Sequence, residues 1–136
     1  MQSNKLITEL IEYAQRRVPL EMCGLLFPDG FHQAWNSALN PTREFTLAIE
    51  HYLDICSVHV EKPWALVHSH PGKGASPSVK DCQLMDALQI AKQDLAMVIV
   101  GLQPVEIRVF KKDGDLYRLV WSWAREPADA DELVKT

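Results

Sequence analysis

One stretch of the chain, from Trp64 to about Ala91, places a strand, a loop and a helix in immediate succession. Trp64-Ala-Leu-Val-His68 is an apolar run that predicts a buried strand. Residues 71–77 contain only small, glycine, proline and lysine residues and predict a loop. A helix is predicted from Ser78 onward. The chain therefore has to combine sheet and helix within one compact unit.

The rest of the sequence alternates in the same way. Asp29-Gly30 and Asp113-Gly114 are turn signals, and each predicts a hairpin between flanking strands. The other predicted elements are helices over 4–17 and 49–60, a short extended piece over 45–47, and strands over 22–27, 31–38, 95–100, 105–110 and 116–123. We therefore predict an α/β domain over residues 1–123, with one mixed sheet flanked by helices, and a polar, acidic tail over 124–136.

Bulk properties exclude several classes of protein. The 136 residues suffice for one domain with a hydrophobic core, and the formal net charge of -4 argues against a nucleic-acid partner. No apolar run approaches the roughly 20 residues that span a bilayer, and the N-terminus does not resemble a signal peptide. A cytoplasmic location and no membrane association are therefore expected. The three cysteines form no disulfide framework, and Cys56 and Cys82 are expected to be reduced, buried thiols.

Candidate metal ligands lie at the junction of this strand, loop and helix. His68 and His70 are two residues apart, so on a strand their side chains point to the same side of the sheet. Asp81, one turn into the following helix, offers a third, carboxylate ligand. Two histidines, one carboxylate and an open fourth position are typical of a catalytic zinc site.

Simpler interpretations of the same residues exist. A histidine is more often a structural or exposed residue than a ligand. Ser78-x-x-Asp81 before an apolar run also matches a helix capping box, in which the two side chains bond to backbone N–H groups. Capping and metal binding are compatible, because a helix N-terminus favours the ionised carboxylate that a metal requires.

The complete pattern resembles the signature of the JAMM metallopeptidase family, also called MPN+. His68-x-His70 is followed by seven residues, then by Ser78 and Asp81, and Pro19-Leu-Glu21-Met-Cys-Gly resembles the family's upstream glutamate segment. This resemblance implies the cytidine-deaminase-like JAMM/MPN fold. It also implies one Zn²⁺ per chain, held by the three ligands, with Glu21 as general base and Ser78 as hydrogen-bond donor to the oxyanion.

Within the family, the segment from Asn40 to Tyr52 resembles the amino-terminal domain of phage tail-assembly K-like proteins. Those proteins often carry a second, cell-wall peptidase domain, which is not expected in this chain. The implied activity is peptidase or isopeptidase cleavage of a phage or cell-wall peptide, or of a ubiquitin-like or sulfur-carrier protein tail. The sequence selects none of these substrates and specifies no oligomeric state.

Two other functions are alternatives. Relatives without the metal motif are non-catalytic scaffold or binding domains, although every signature position is intact here. A cysteine peptidase using Cys23 is the third hypothesis. Cys23 shares a strand face with Glu21 but is predicted within a strand, away from any helix N-terminus that would lower the pKa of its thiol.

Overall fold

A computed structural model describes residues 4–125, and in this range the chain forms a six-stranded mixed sheet with three helices. No helix among these residues is long and apolar enough to cross a membrane. The elements in chain order are α1 (Asn4–Arg17), β1 (Cys23–Phe27), β2 (Gly30–Ala34), α2 (Ile49–Ser57), β3 (Ala65–His70), α3 (Val79–Ile90), β4 (Ala96–Leu102), β5 (Val105–Asp113) and β6 (Leu116–Ala124). The predicted α/β class with one mixed sheet is confirmed.

The central strand of the sheet is β3. The strand order is β2-β1-β3-β4-β5-β6, and every pair is antiparallel except β3 with β4. Parallel neighbours need a crossover, which α3 supplies. The carboxyl end of β3 and the N-terminus of α3 therefore lie at the same edge of the sheet, where α/β proteins commonly bind ligands.

Each face of the sheet has its own core, because successive side chains of a strand point to opposite faces. On one face, Ala65 and Val67 pack in a cluster with α1. On the other face, Leu66 packs in a cluster that includes Ile55 of α2 and Met85 of α3. The alternation places His68 and His70 on the α2–α3 face, together with Leu66.

An irregular segment, residues 35–48, joins β2 to α2, and both of these elements end earlier than predicted. The strand predicted over 31–38 stops at Ala34 because the N–H of Trp35 donates to His51 Nε2 (3.0 Å) instead of to the sheet. The helix predicted over 49–60 stops at Ser57, and the His59 ring turns back to stack on Phe27 at 3.6 Å. Residues 45–47 pair with no strand.

Cys56 and Cys82 are free, as predicted, but they are only partly buried, because each packs against the edge of the α2–α3 core rather than inside it. The acidic tail predicted over 124–136 lies outside the described residues from position 126 onward, and β6 continues to Ala124.

Candidate metal centre

His68, His70 and Asp81 converge on one point inside the protein. Their potential ligand atoms all lie within 4.8 Å of one another, and all three residues are buried. Nε2 of His68 is 2.9 Å from Asp81 Oδ1, and Nε2 of His70 is 3.1 Å from Oδ2. The two Nε2 atoms are 3.3 Å apart. The three predicted ligands are therefore brought together, on the end of β3 and the first turn of α3.

The hydrogen bonding of His70 indicates that this cluster suits a bound cation. Its Nδ1 is 2.9 Å from the carbonyl oxygen of Gly74, which can only accept, so Nδ1 carries the proton. In a neutral ring the lone pair is then on Nε2, where it faces the Asp81 carboxylate. Two acceptors at this distance repel unless a cation lies between them. The donor set fits a shared cation, and a divalent metal uses all three ligands at once.

In most metal-binding histidines the ring nitrogen that does not face the metal donates a hydrogen bond, and His68 lacks such a bond. Its Nδ1 is the one buried side-chain nitrogen or oxygen without a hydrogen-bond partner in the described part of the chain. The ring is held by packing instead, stacked on Phe45 with centroids 4.4 Å apart. Phe45 therefore fixes the orientation of His68 from the irregular segment between β2 and α2.

The protonation states of the cluster suit a metal. Burial by itself raises the pKa of Asp81, but its contacts with the His68 and His70 rings and the hydrogen bond from the Ser78 backbone hold that pKa well below its usual range. Burial lowers the pKa of His68, against the opposing effect of the Asp81 carboxylate. An anionic carboxylate and a neutral imidazole are the forms in which these residues bind metals.

Ser78 is the N-cap of α3, and the predicted capping box is confirmed. Its Oγ accepts from the N–H of Asp81 (3.1 Å), and its own N–H donates to Asp81 Oδ2 (2.9 Å). The box therefore locks the rotamer of the third ligand. Capping uses an acceptor lone pair of the Ser78 hydroxyl and leaves its O–H free to donate elsewhere.

Glu21 reaches the same place from another part of the sequence. It directly precedes Met22, whose N–H donates to Ser69 Oγ (2.7 Å) and whose carbonyl oxygen accepts from the N–H of Ser69 (2.9 Å). Ser69 lies between the two histidines, so this pair of bonds fixes the position of Glu21 relative to them. The amide of Asn36 donates to the Glu21 carbonyl oxygen (2.9 Å) from the opposite side.

The Glu21 side chain is a buried acid beside the cluster. It is 6% exposed and lines one cavity with Ser78 and Asp81 and a second with His70. Burial raises its pKa to about 7, and the His70 ring opposes this rise. A carboxyl group that titrates near neutral pH, next to a potential metal, has the properties of a general base.

The loop after β3 is held by β5 and by the end of β4. The Glu106 carboxylate accepts from the N–H of Ala75 (2.7 Å), and Arg108 donates to Ser76 Oγ (3.2 Å). Gly101 allows the close approach, since a Cβ there would lie 2.5 Å from the carbonyl carbon of Gly74. These contacts set the position of the Gly74 carbonyl that orients His70.

Several residues that position the site belong to no motif that identifies them from the sequence. Asn36 bonds to backbone atoms of five separate positions in 21–46, and Phe45 acts only through its stacking. Ser69 occupies the variable position of the histidine pair.

Cys23, the candidate nucleophile of the cysteine-peptidase hypothesis, is a structural thiol. It is fully buried, its Sγ is 3.9 Å from the Ala34 carbonyl oxygen, and burial raises its pKa to about 12, which removes it as a nucleophile.

Comparisons with known proteins agree with this geometry. A family model described as prokaryotic homologs of the JAB domain matches residues 3–113. The solution structure of protein DSY2949 from Desulfitobacterium hafniense is similar in fold, with a TM-score of 0.61 at 23% identity, over 91% of this chain and 88% of that one. Among the curated proteins, none gives a match.

Replacing both His68 and His70 with Ala should abolish binding of a divalent metal, because only the Asp81 carboxylate would remain. Replacing His51 and His59 with Ala is the matched control, since both lie outside the cluster. Metal content after dialysis against zinc, measured by mass spectrometry, is the readout. A double variant that keeps its full metal content would disprove the ligand assignment.

Proposed function

The chain belongs to the family of prokaryotic homologues of the JAB domain, and on this premise we propose that it is a zinc-dependent peptidase or isopeptidase. One observation carries the proposal: three buried candidate metal ligands converge beside a buried acid, Glu21, that lines the same cavities, and burial raises the pKa of this acid to about 7. This arrangement supplies ligands for a metal ion and a base for the hydrolysis of an amide bond.

Zinc is the metal that this ligand set favours. Two imidazoles and one carboxylate with a position left open are typical of catalytic zinc, whereas calcium and magnesium prefer oxygen ligands. His68, His70 and Asp81 would hold the ion. When bound, Zn²⁺ supplies Lewis acidity, which lowers the pKa of a coordinated water to about 7 and polarises a carbonyl.

Glu21 is the general base in this proposal. Its carboxylate accepts a proton from the attacking water as the water oxygen adds to the carbonyl carbon of the substrate. It then returns the proton to the leaving nitrogen as the C–N bond breaks. Burial raises the pKa of Glu21 and so makes its carboxylate a stronger base. Because the base acts only when ionised, the same rise in pKa lowers the active fraction at low pH.

Ser78 is the proposed oxyanion donor. Its O–H remains available because capping uses the acceptor side of the hydroxyl. Ser78 lines the same cavity as Glu21 and Asp81, so a substrate carbonyl in that cavity has donor and base within one site. A preorganised donor of this kind stabilises negative charge that develops on the carbonyl oxygen.

The proposal extends to the class of substrate and to the cellular location. We propose that the substrate is a phage or cell-wall peptide, or a ubiquitin-like or sulfur-carrier tail, and that the protein acts in the cytoplasm. A role in phage tail assembly rests on the resemblance of residues 40–52 alone. Hydrolysis of a mixed peptide library, followed by mass spectrometry with and without a chelator, would separate this enzyme from a non-catalytic binding domain.

Glu21→Gln should lower the rate of hydrolysis about 10²–10⁴-fold, because the amide keeps the shape of the side chain but cannot accept the proton. Zinc content should be unchanged, and the melting temperature above pH 7 should be unchanged or higher, since a buried charge is removed. Peptidase rate, metal content and melting are measured on one preparation, with the exposed Glu61→Gln as control. Loss of zinc would make Glu21 a ligand, and a wild-type rate would exclude it as the base.

Ser78→Ala should lower turnover about 10²–10³-fold with normal zinc content, and it should also cost about 1 kcal/mol of stability through the lost cap. Ser78→Gly separates the two effects, because glycine is a tolerable N-cap that has no hydroxyl. Both variants should lose the same activity although the glycine variant unfolds at a higher temperature. Activity that instead follows stability would assign Ser78 to capping alone.

A further inference from the structure

Two cavities of different character meet at Glu21. The larger, of about 660 Å³, extends from Ser78 and Asp81 between α2 and α3. The smaller, of about 400 Å³, lies against His70 and the loop over residues 71–73. Glu21 and Arg43 line both. A substrate amide placed at Glu21 therefore has one cavity on either side of it.

The larger cavity is apolar away from the metal centre. Its apolar lining side chains belong to the irregular segment, to α2, to β3, to α3 and to the residue that precedes β4: Phe45, Leu47, Leu53, Leu66, Leu84, Leu88 and Leu95. Two cations line it: Lys80 forms an ion pair with Glu44, and Arg43 lies where this cavity meets the smaller one. Beyond Arg43, this side of the site therefore offers apolar contact and no unpaired cation.

The smaller cavity is cationic. Lys73 and Arg43 both line it, both are exposed, and neither forms an ion pair with any residue of the described range 4–125. The other residues that line it are Thr42, Pro71, Gly72, His70 and Glu21, and Glu21 carries the one carboxylate of this lining. Two unpaired cations beside the reacting centre favour an anionic group of the substrate.

We propose that the substrate carries a large apolar side chain on the α2–α3 side of the scissile amide and a carboxylate on the side of Lys73 and Arg43. The inference rests on the proposed function and assigns its two specificity subsites. The apolar subsite selects by burial of hydrocarbon surface, and the cationic subsite selects by charge. Either order of the two groups along the peptide satisfies this arrangement, and the binding test distinguishes the two orders.

The test measures binding to the zinc-loaded full chain carrying Glu21→Gln, so that peptide is not consumed. The probes are two capped peptides, Gly-Phe-Gly-Glu-Gly and Gly-Glu-Gly-Phe-Gly, and their versions with Ala for Phe or Gln for Glu. Titration calorimetry should show that one order binds. Either replacement in that peptide should weaken binding about tenfold or more. Equal binding of all peptides, or binding of neither order at millimolar concentration, would overturn the inference.

Variants of the protein then assign each subsite. Leu53→Asp places a charge on the rim of the apolar cavity, at a residue that is 58% exposed, and should weaken binding of the peptide that contains phenylalanine. Val60→Asp, at an exposed residue outside both cavities, should have no effect. Lys73→Glu places a carboxylate beside the remaining cation, Arg43, and should abolish the preference for Glu over Gln in the peptide. Lys62→Glu should leave that preference unchanged. Unchanged preference in Leu53→Asp and Lys73→Glu would contradict the assignment.

The wild-type enzyme separates this inference from the proposed function. If it binds the selected peptide but cleaves no peptide, the subsites stand and the peptidase assignment fails. If it cleaves peptides without regard to the apolar or acidic residue, the peptidase assignment stands and the subsites fail.

Discussion

The Asp81 carboxylate lies between two imidazole nitrogens in the interior of the protein, and this contact determines much of the rest. A buried anion that faces a histidine lone pair needs a cation, so the fold has to hold both rings and the carboxylate at fixed positions. The parallel pairing of β3 with β4 makes α3 the crossover and brings its first turn to the end of β3. The capping box then fixes the carboxylate on that turn.

A second constraint joins the acid to the metal ligands. Ser69 and Met22 exchange two hydrogen bonds between neighbouring strands, one through the Ser69 side chain and one through backbone atoms. They place Glu21 beside His70 although the two residues are distant in the sequence. The carboxyl group of Glu21 is then enclosed by the irregular segment and by α3, and this burial, which raises its pKa, also makes its ionised form costly. In the proposed mechanism, the same enclosure that destabilises the charge would make Glu21 an effective base.

Local features of the site could be predicted from the sequence, because their partners are close in the chain. The two-residue spacing of His68 and His70 fixes a common strand face, and Ser78 with Asp81 forms a box within one helical turn. Glu21 could be predicted only from the family resemblance, because the hydrogen bonds that bring it to the site join residues of two strands that are distant in the sequence. The roles of Asn36 and Phe45 and the two cavities depend on how the segment between β2 and α2 folds over the sheet, which has no periodic pattern.

We propose that His68, His70 and Asp81 hold one zinc ion and that Glu21 lies beside the ion without ligating it. Anomalous diffraction from crystals of the zinc-loaded protein, collected on both sides of the zinc absorption edge, tests this arrangement. We expect one strong anomalous peak, within about 2.2 Å of one nitrogen of each histidine and one oxygen of Asp81, with the Glu21 carboxylate outside the coordination shell. A peak elsewhere, no peak, or a Glu21 oxygen at ligand distance would contradict it.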